Sequence, residues 1–276
     1  MYVQYSGTRA PLAGIRRAGL VCCSNGLARE SAAKVDALRR RLADCGVETV
    51  CGAHLYAADG VRSGSAAQRA AELMRFYRDR EIDAIFDLSG GDIANEILPH
   101  LDFGVIAGTR KRFWGYSDLT VLLNAIYAET ENAGVLYQMR FFTPERAERL
   151  FSFRCRFVQG RALSGVVAGG NIRCLLKLAG TRYFPDLRGK VLLLEARSGL
   201  QPQMITFLSQ LQQMGVFAQV SGILLGTFTQ MARAGERIEP LVQSFAGSLP
   251  IAKTEDIGHA PDASAIVIGE HIDLSI

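Results

Sequence analysis

The sequence has no run of about 18 uncharged apolar residues, the length that a membrane-spanning helix requires. It has no Cys-x-x-Cys pair among Cys22, Cys23, Cys45, Cys51, Cys155 and Cys174. Its histidines, His54, His100, His259 and His271, do not fall at zinc spacing from those cysteines. Nothing therefore calls for a metal, and small buried thiols in a reducing compartment account for all the cysteines. A surplus of charge of either sign is small too. Lys and Arg number 31 against 27 Asp and Glu, a formal net charge of +4, which is far from a nucleic-acid-binding composition. Internal repeats and low-complexity tracts are lacking. The segment Met1-Tyr2-Val3-Gln4-Tyr5 shows no charged stretch leading into an apolar one. No secretory signal and no membrane partner are expected, and a cytoplasmic protein is the default.

What is present is enough apolar material for a sizeable core: 49% of the 276 residues are hydrophobic. At roughly 100–200 residues per domain, that predicts one large domain or two smaller ones. Strand and helix signals alternate from Arg17 onward. Ala18–Cys23 is a short apolar run, in which Cys22 and Cys23 would point to opposite faces of a strand. Val35, Leu38, Leu42 and Cys45 then recur at helical spacing before Gly46. Val47–Cys51 reads as a strand, and Ser65-Ala66-Ala67-Gln68 as a capping box opening a helix to about Asp79. Ile82–Leu88 is a buried strand ending at Gly90-Gly91, followed by a helix near Ile93–Leu98. Arg112–Gly115 is another strand, with Ser117 opening a helix to about Glu129. This rhythm argues for an α/β fold with a mostly parallel sheet and helices on both faces.

Between Arg140 and Arg161 the character changes. Six arginines stand against Glu145 and Glu148, a surplus equal to the net charge of the whole chain. The segment reads as a crossing between two domains, with Phe141, Phe142, Phe151, Phe153 and Phe157 anchoring it to both cores. An anionic substrate or partner is the other reading of its charge. The division is then 1–142, a crossing at 143–163, and 164–276. In the last part Asn171 can cap a helix to Leu178, Val191–Leu194 is a strand delivered into Glu195, and Gln203–Met214 is helical. Val220–Leu225 and Ile251–Lys253 are strands, Thr254–Pro261 is a loop, and Ala265–Ile268 with His271–Leu274 suggests a terminal hairpin.

In an open α/β sheet, ligands bind at the carboxyl ends of strands, where Gly90-Gly91, Ser117, Glu195 and His259 all fall. Ser117 is either a nucleophile raised on a sharp turn or an ordinary helix cap. Glu195 either orients a histidine or is a solvated strand end. His259, in Gly258-His259-Ala260-Pro261, is either a general base or a loop histidine holding a carbonyl. The diglycine either offers amides to an oxyanion or is a common turn.

Taken together, Ile82–Phe103, FWGYSDLT at Phe113–Thr120, Gly169–Glu195 and Glu255–Gly269 resemble the LD-carboxypeptidase family of serine peptidases, over nearly the whole chain. That family includes murein tetrapeptide carboxypeptidases and microcin C immunity proteins. The resemblance implies a flavodoxin-like N-terminal domain, a smaller β-rich C-terminal domain and an active site in the groove between them. It implies Ser117 as nucleophile, His259 as general base and Glu195 as the orienting acid. The amides of Gly91 and Asp118 would form the oxyanion hole, Gly90 and Asp92 would lie near substrate, and a homodimer is expected. Ser89, Asp92 and Val135-Leu136-Tyr137-Gln138-Met139 depart from the family pattern, and they bear on substrate more than on chemistry. The implied activity is release of terminal D-alanine from murein tetrapeptide without a cofactor. The alternatives are cleavage of an aminoacyl- or peptidyl-nucleotide amide, or a sensor without catalysis. A single crossing between domains speaks against the sensor.

Overall fold

A computed structural model describes residues 2–7 and 12–276. The early strands are β1 (Tyr2–Ser6), β2 (Arg17–Val21), β3 (Glu48–Cys51), β4 (Ala84–Asp87), β5 (Arg112–Gly115) and β6 (Gly134–Leu136). The later ones are β7 (Ser152–Gln159), β8 (Ala162–Asn171), β9 (Val191–Ala196), β10 (Gly222–Phe228), β11 (Ile251–Thr254), β12 (Ile266–Ile268) and β13 (His271–Ser275). They form two sheets, in the orders β12-β6-β5-β4-β2-β3 and β1-β7-β11-β10-β9-β8-β13.

The first sheet is parallel from β3 to β6, with β12 antiparallel on its edge. Parallel neighbours need crossovers, and helices Ala32–Asp44 and Ala66–Arg78 supply two of them. Val35, Leu38 and Leu42 form the buried face of the former. The latter opens on the Ser65 capping box, whose side chain accepts from the Gln68 amide while the Gln68 side chain accepts from the Ser65 amide. Cys22 and Cys23 leave β2 into cores on opposite sides of the sheet. Strand order runs from β2 to β3 in one direction and to β4, β5 and β6 in the other. The loops after β2 and β4 therefore diverge, and a crevice opens at these strand ends.

In the second sheet β8, β9, β10 and β11 are parallel, while β7, β1 and β13 are antiparallel additions. Its edge strands β1 and β13 touch, so the sheet curls toward closure. One face packs on helices Gln201–Gln213 and Glu239–Ala246 through Leu192, Leu194, Leu208 and Val242. The other face sends Leu193 and Leu224 into a core continuous with Val21, Ile85 and Phe113 of the first sheet. The molecule is a mixed α/β fold of two sheets that share a hydrophobic interior.

Several expectations need correction. The terminal hairpin does not form: β12 pairs with β6, whereas β13 pairs with β8. The burial patterns explain the split, since β12 is buried throughout and needs cover on both faces, while β13 alternates as a half-exposed edge does. Within 143–163 the chain includes the strand Ser152–Gln159, with Phe153 and Cys155 turned inward and Arg154 outward. Phe142, Phe151 and Phe153 are buried and Phe157 packs beside the shared core, but Phe141 is exposed. The described chain also passes between the sheets repeatedly: β1 and β13 belong to the second sheet and β12 to the first. A single crossing therefore cannot serve as an argument against a sensor. All six cysteines are free; Cys51 is exposed and Cys45 half-buried, so core packing accounts for only the other four. No helix among the described residues is long and apolar enough to cross a membrane.

Candidate active site

β5 ends at Gly115, Tyr116 is extended, and Ser117 turns to φ +56°. A left-handed backbone costs a non-glycine residue about 1–2 kcal/mol, and such strain concentrates at functional sites. A 3-10 turn, Ser117–Leu119, then leads into helix Thr120–Thr130. Tyr116 and Leu119 hold the capping positions of these two elements, so Ser117 caps neither. Its half-buried side chain stands at the strand-to-helix turn.

Glu195, near the end of β9, has no exposed surface. Its Oε1 accepts from Asn171 Nδ2 at 3.0 Å and its Oε2 from the Tyr116 hydroxyl at 3.3 Å. His259 Nδ1 lies 2.8 Å from Oε2, off the axis of a linear hydrogen bond. An unpaired buried carboxylate would cost several kcal/mol, and these contacts offset that cost. Burial, reinforced by the Glu195 charge, pushes the Tyr116 phenol well above its ordinary value, so it remains a donor. The Tyr116 and His259 rings meet edge to face at 4.8 Å. His259 Nε2 is buried and makes no hydrogen bond, to Ser117 Oγ or to any other group. Neither a solvated glutamate nor a carbonyl-holding histidine describes this arrangement.

The His259 loop is held from two directions. Arg146 donates to the Pro261 carbonyl at 3.2 Å and also to that of Asp262. Gly258 lies so close to Thr227 that a Cβ there would overlap its side chain.

A second polar cluster lies on the other side of Ser117. Asp118 is fully buried, and its Oδ2 accepts from Ser24 Oγ at 2.6 Å and the Ala94 amide at 2.8 Å. Lys177 reaches Oδ1 of the same carboxylate. Lys177 also donates to the Asp92 carbonyl at 2.8 Å, and Arg173 pairs with the Asp92 carboxylate. Asp92 is thus engaged by the segment after β8 rather than standing free. Gly91 has φ +131° and packs against Asn25 where a Cβ would collide, while Gly90 has open space beside it. The Asn25 amide donates to the Gly90 carbonyl and the Asn25 side chain accepts from the Asp92 amide.

Tyr116, Asn171, Arg146 and Lys177 were not singled out in the sequence as parts of a site. Only Asn171 carried a signal there, as a helix cap. It does cap Ile172–Leu176, by accepting from the Cys174 amide, while its amide nitrogen serves Glu195.

Residues 18–138 match the LD-carboxypeptidase N-terminal domain and residues 164–274 the LD-carboxypeptidase C-terminal domain. A probable murein peptide carboxypeptidase of Bacillus subtilis is 27% identical over 86% of this chain and 82% of its own length. The microcin C7 self-immunity protein MccF of Escherichia coli is 26% identical over 81% of this chain and 80% of its own. The crystal structure of an MccF-like protein from Bacillus anthracis superposes with a TM-score of 0.85 at 22% identity, covering 97% of this chain and 95% of that one. That likeness concerns the fold. The two domain matches, in order and spanning most of the sequence, establish that the chain belongs to the LD-carboxypeptidase family.

Proposed function

We propose that this member of a serine peptidase family is a carboxypeptidase that hydrolyses an L,D-amide bond and releases terminal D-alanine from murein tetrapeptide, with Ser117 as nucleophile, His259 as general base and Glu195 as orienting acid. The observation that carries the reading is the buried Glu195–His259 pair at 2.8 Å, with Nε2 left without a partner. The strained turn at Ser117 supports it. Nε2 removes the Ser117 hydroxyl proton as Oγ attacks the substrate carbonyl carbon. Catalytic hydrogen bonds are often long or unformed before substrate binds, so the missing Ser117–His259 bond is compatible with this step. The oxyanion is held by the amides of Gly91 and Asp118. Asp118 is second in its 3-10 turn, where N–H groups lack a partner within the turn. Each such donor lowers the barrier by about 2.7–4 kcal/mol. Breakdown of the tetrahedral intermediate expels the amine, which leaves with the proton from His259 and yields an acyl-enzyme. Water, deprotonated by the same imidazole, then releases the acid and restores Ser117.

A second reading is cleavage of an aminoacyl-nucleotide amide, favoured by the matching identity to the microcin immunity protein. Mass spectrometry of products separates the two. The protein and its Ser117→Ala variant are incubated with L-Ala-D-Glu-meso-diaminopimelate-D-Ala and, separately, with an aminoacyl sulfamoyl adenosine. Serine-dependent loss of D-alanine is the expected result. Cleavage of the adenosine compound alone would replace the first reading by the second, and cleavage of neither would reject both.

A further inference from the structure

Beside His259 lies a cleft of about 490 Å³ lined, among others, by Gln138, Arg140, Arg197, Gln230 and Arg233. Three guanidinium groups from separate parts of the chain converge there. Arg140 follows β6, Arg197 stands two residues after Glu195, and Arg233 ends helix Thr229–Arg233 beyond β10. Among the described residues none of the three has a carboxylate partner. The adjoining cleft shares His259 and Arg233 with this one, but its other cations are paired: Arg237 with Glu239 and Lys253 with Glu255. Arg156 pairs with Glu239 as well.

Arg140 sharpens the contrast. Its Nε is buried without a hydrogen bond. Asp87 is the carboxylate whose charge reaches it, but the Asp87 oxygens are taken by the Cys23 amide, the Ser89 amide and the Ser89 hydroxyl. Burial, with some help from the charge of Arg197, draws the Arg140 guanidinium below its ordinary value. Glu236, which lines the adjoining cleft with Arg233, accepts from the Gln201 amide through Oε2. Like charges are thus gathered beside His259, burial opposes that of Arg140, and none of the three is paired with a carboxylate. Guanidinium groups are the usual receptors for the planar, two-pronged geometry of carboxylate and phosphate.

We propose that Arg140, Arg197 and Arg233 form an anion-recognition subsite that takes a carboxylate or phosphoryl group of the substrate beside His259. The subsite rests on the reading of His259 as part of the reactive centre. It also separates the charge of the arginine-rich segment into two jobs. Arg146 and Arg156 serve structure through the His259 loop and Glu239, whereas Arg140 faces the cleft.

The test is titration of the full chain with inorganic phosphate and, separately, with acetate at low ionic strength, followed by NMR. The parent is compared with Arg197→Gln and Arg233→Gln, two exposed positions where folding is not at stake, and thermal melts serve as the control. At least one anion should bind the parent, with Kd raised about tenfold or more in each variant. Tighter phosphate binding points to a phosphoryl group, and tighter acetate binding to a carboxylate. Absence of binding by both anions, or equal Kd in parent and variants, overturns the subsite. Hydrolysis of the two substrates above is followed in the same samples. A parent that cuts neither refutes the proposed function without touching the titration, while intact hydrolysis with unchanged Kd refutes the subsite alone.

Discussion

On one side of Ser117, Glu195 is surrounded by Asn171, Tyr116 and His259, and the chain of contacts stops at an imidazole nitrogen with no partner. On the other side, both oxygens of Asp118 are occupied by Ser24, Ala94 and Lys177. Both carboxylates are fully buried and both draw on both sheets, yet only one cluster ends in an unused group. A completed cluster fixes geometry. An open one has proton-transfer capacity left over, which is what a general base needs. Under the proposed mechanism, reaction falls to the Glu195 side and positioning to the Asp118 side.

Substitutions can break that comparison. The largest expected effect is that of Ser117→Ala, which should lower kcat by about 10⁴-fold or more while leaving the thermal melt near that of the parent. Comparable turnover in steady-state assays would remove Ser117 from the mechanism. Glu195→Gln keeps the shape but loses the charge that favours the required imidazole tautomer, and kcat should fall by about 10³–10⁴-fold. Lys177→Met should act chiefly on stability. It leaves Asp118 buried without its counter-charge, at a cost of about 3 kcal/mol read by denaturant unfolding; a larger loss of kcat than of stability would reverse the assignment of roles. Tyr116→Phe removes one hydrogen bond to Glu195 and should cost less than about tenfold in kcat. Because the Tyr116 phenol is held well above its ordinary value, it stays protonated through the working range. The alkaline limb of the pH–rate profile should therefore be the same in this variant as in the parent.

The parallel half of the fold was legible because its signals are local: apolar runs, the 3.6-residue spacing of Val35, Leu38 and Leu42, and the Ser65 box. Ser117, Glu195 and His259 stood out because each lies at or just past a strand end. Their supporting residues did not, since the contacts are remote in sequence. Tyr116 and Glu195 are 79 residues apart, Lys177 and Asp118 59, and Asn171 and Glu195 24. The last two strands failed for a related reason. A glycine between short apolar runs has the local form of a hairpin, and only the edges available on β6 and β8 decide that the runs part. The arginines divide the same way, because partners such as Glu239 and the Pro261 carbonyl are visible only in the fold.

The most direct test of the central claim, that His259 activates Ser117, is labelling by a fluorophosphonate followed by intact-mass and peptide mass spectrometry. The account predicts one adduct per chain, on the peptide containing Ser117, absent in Ser117→Ala and slowed by orders of magnitude in His259→Ala. Labelling at another residue, or equal rates in the parent and His259→Ala, would contradict it.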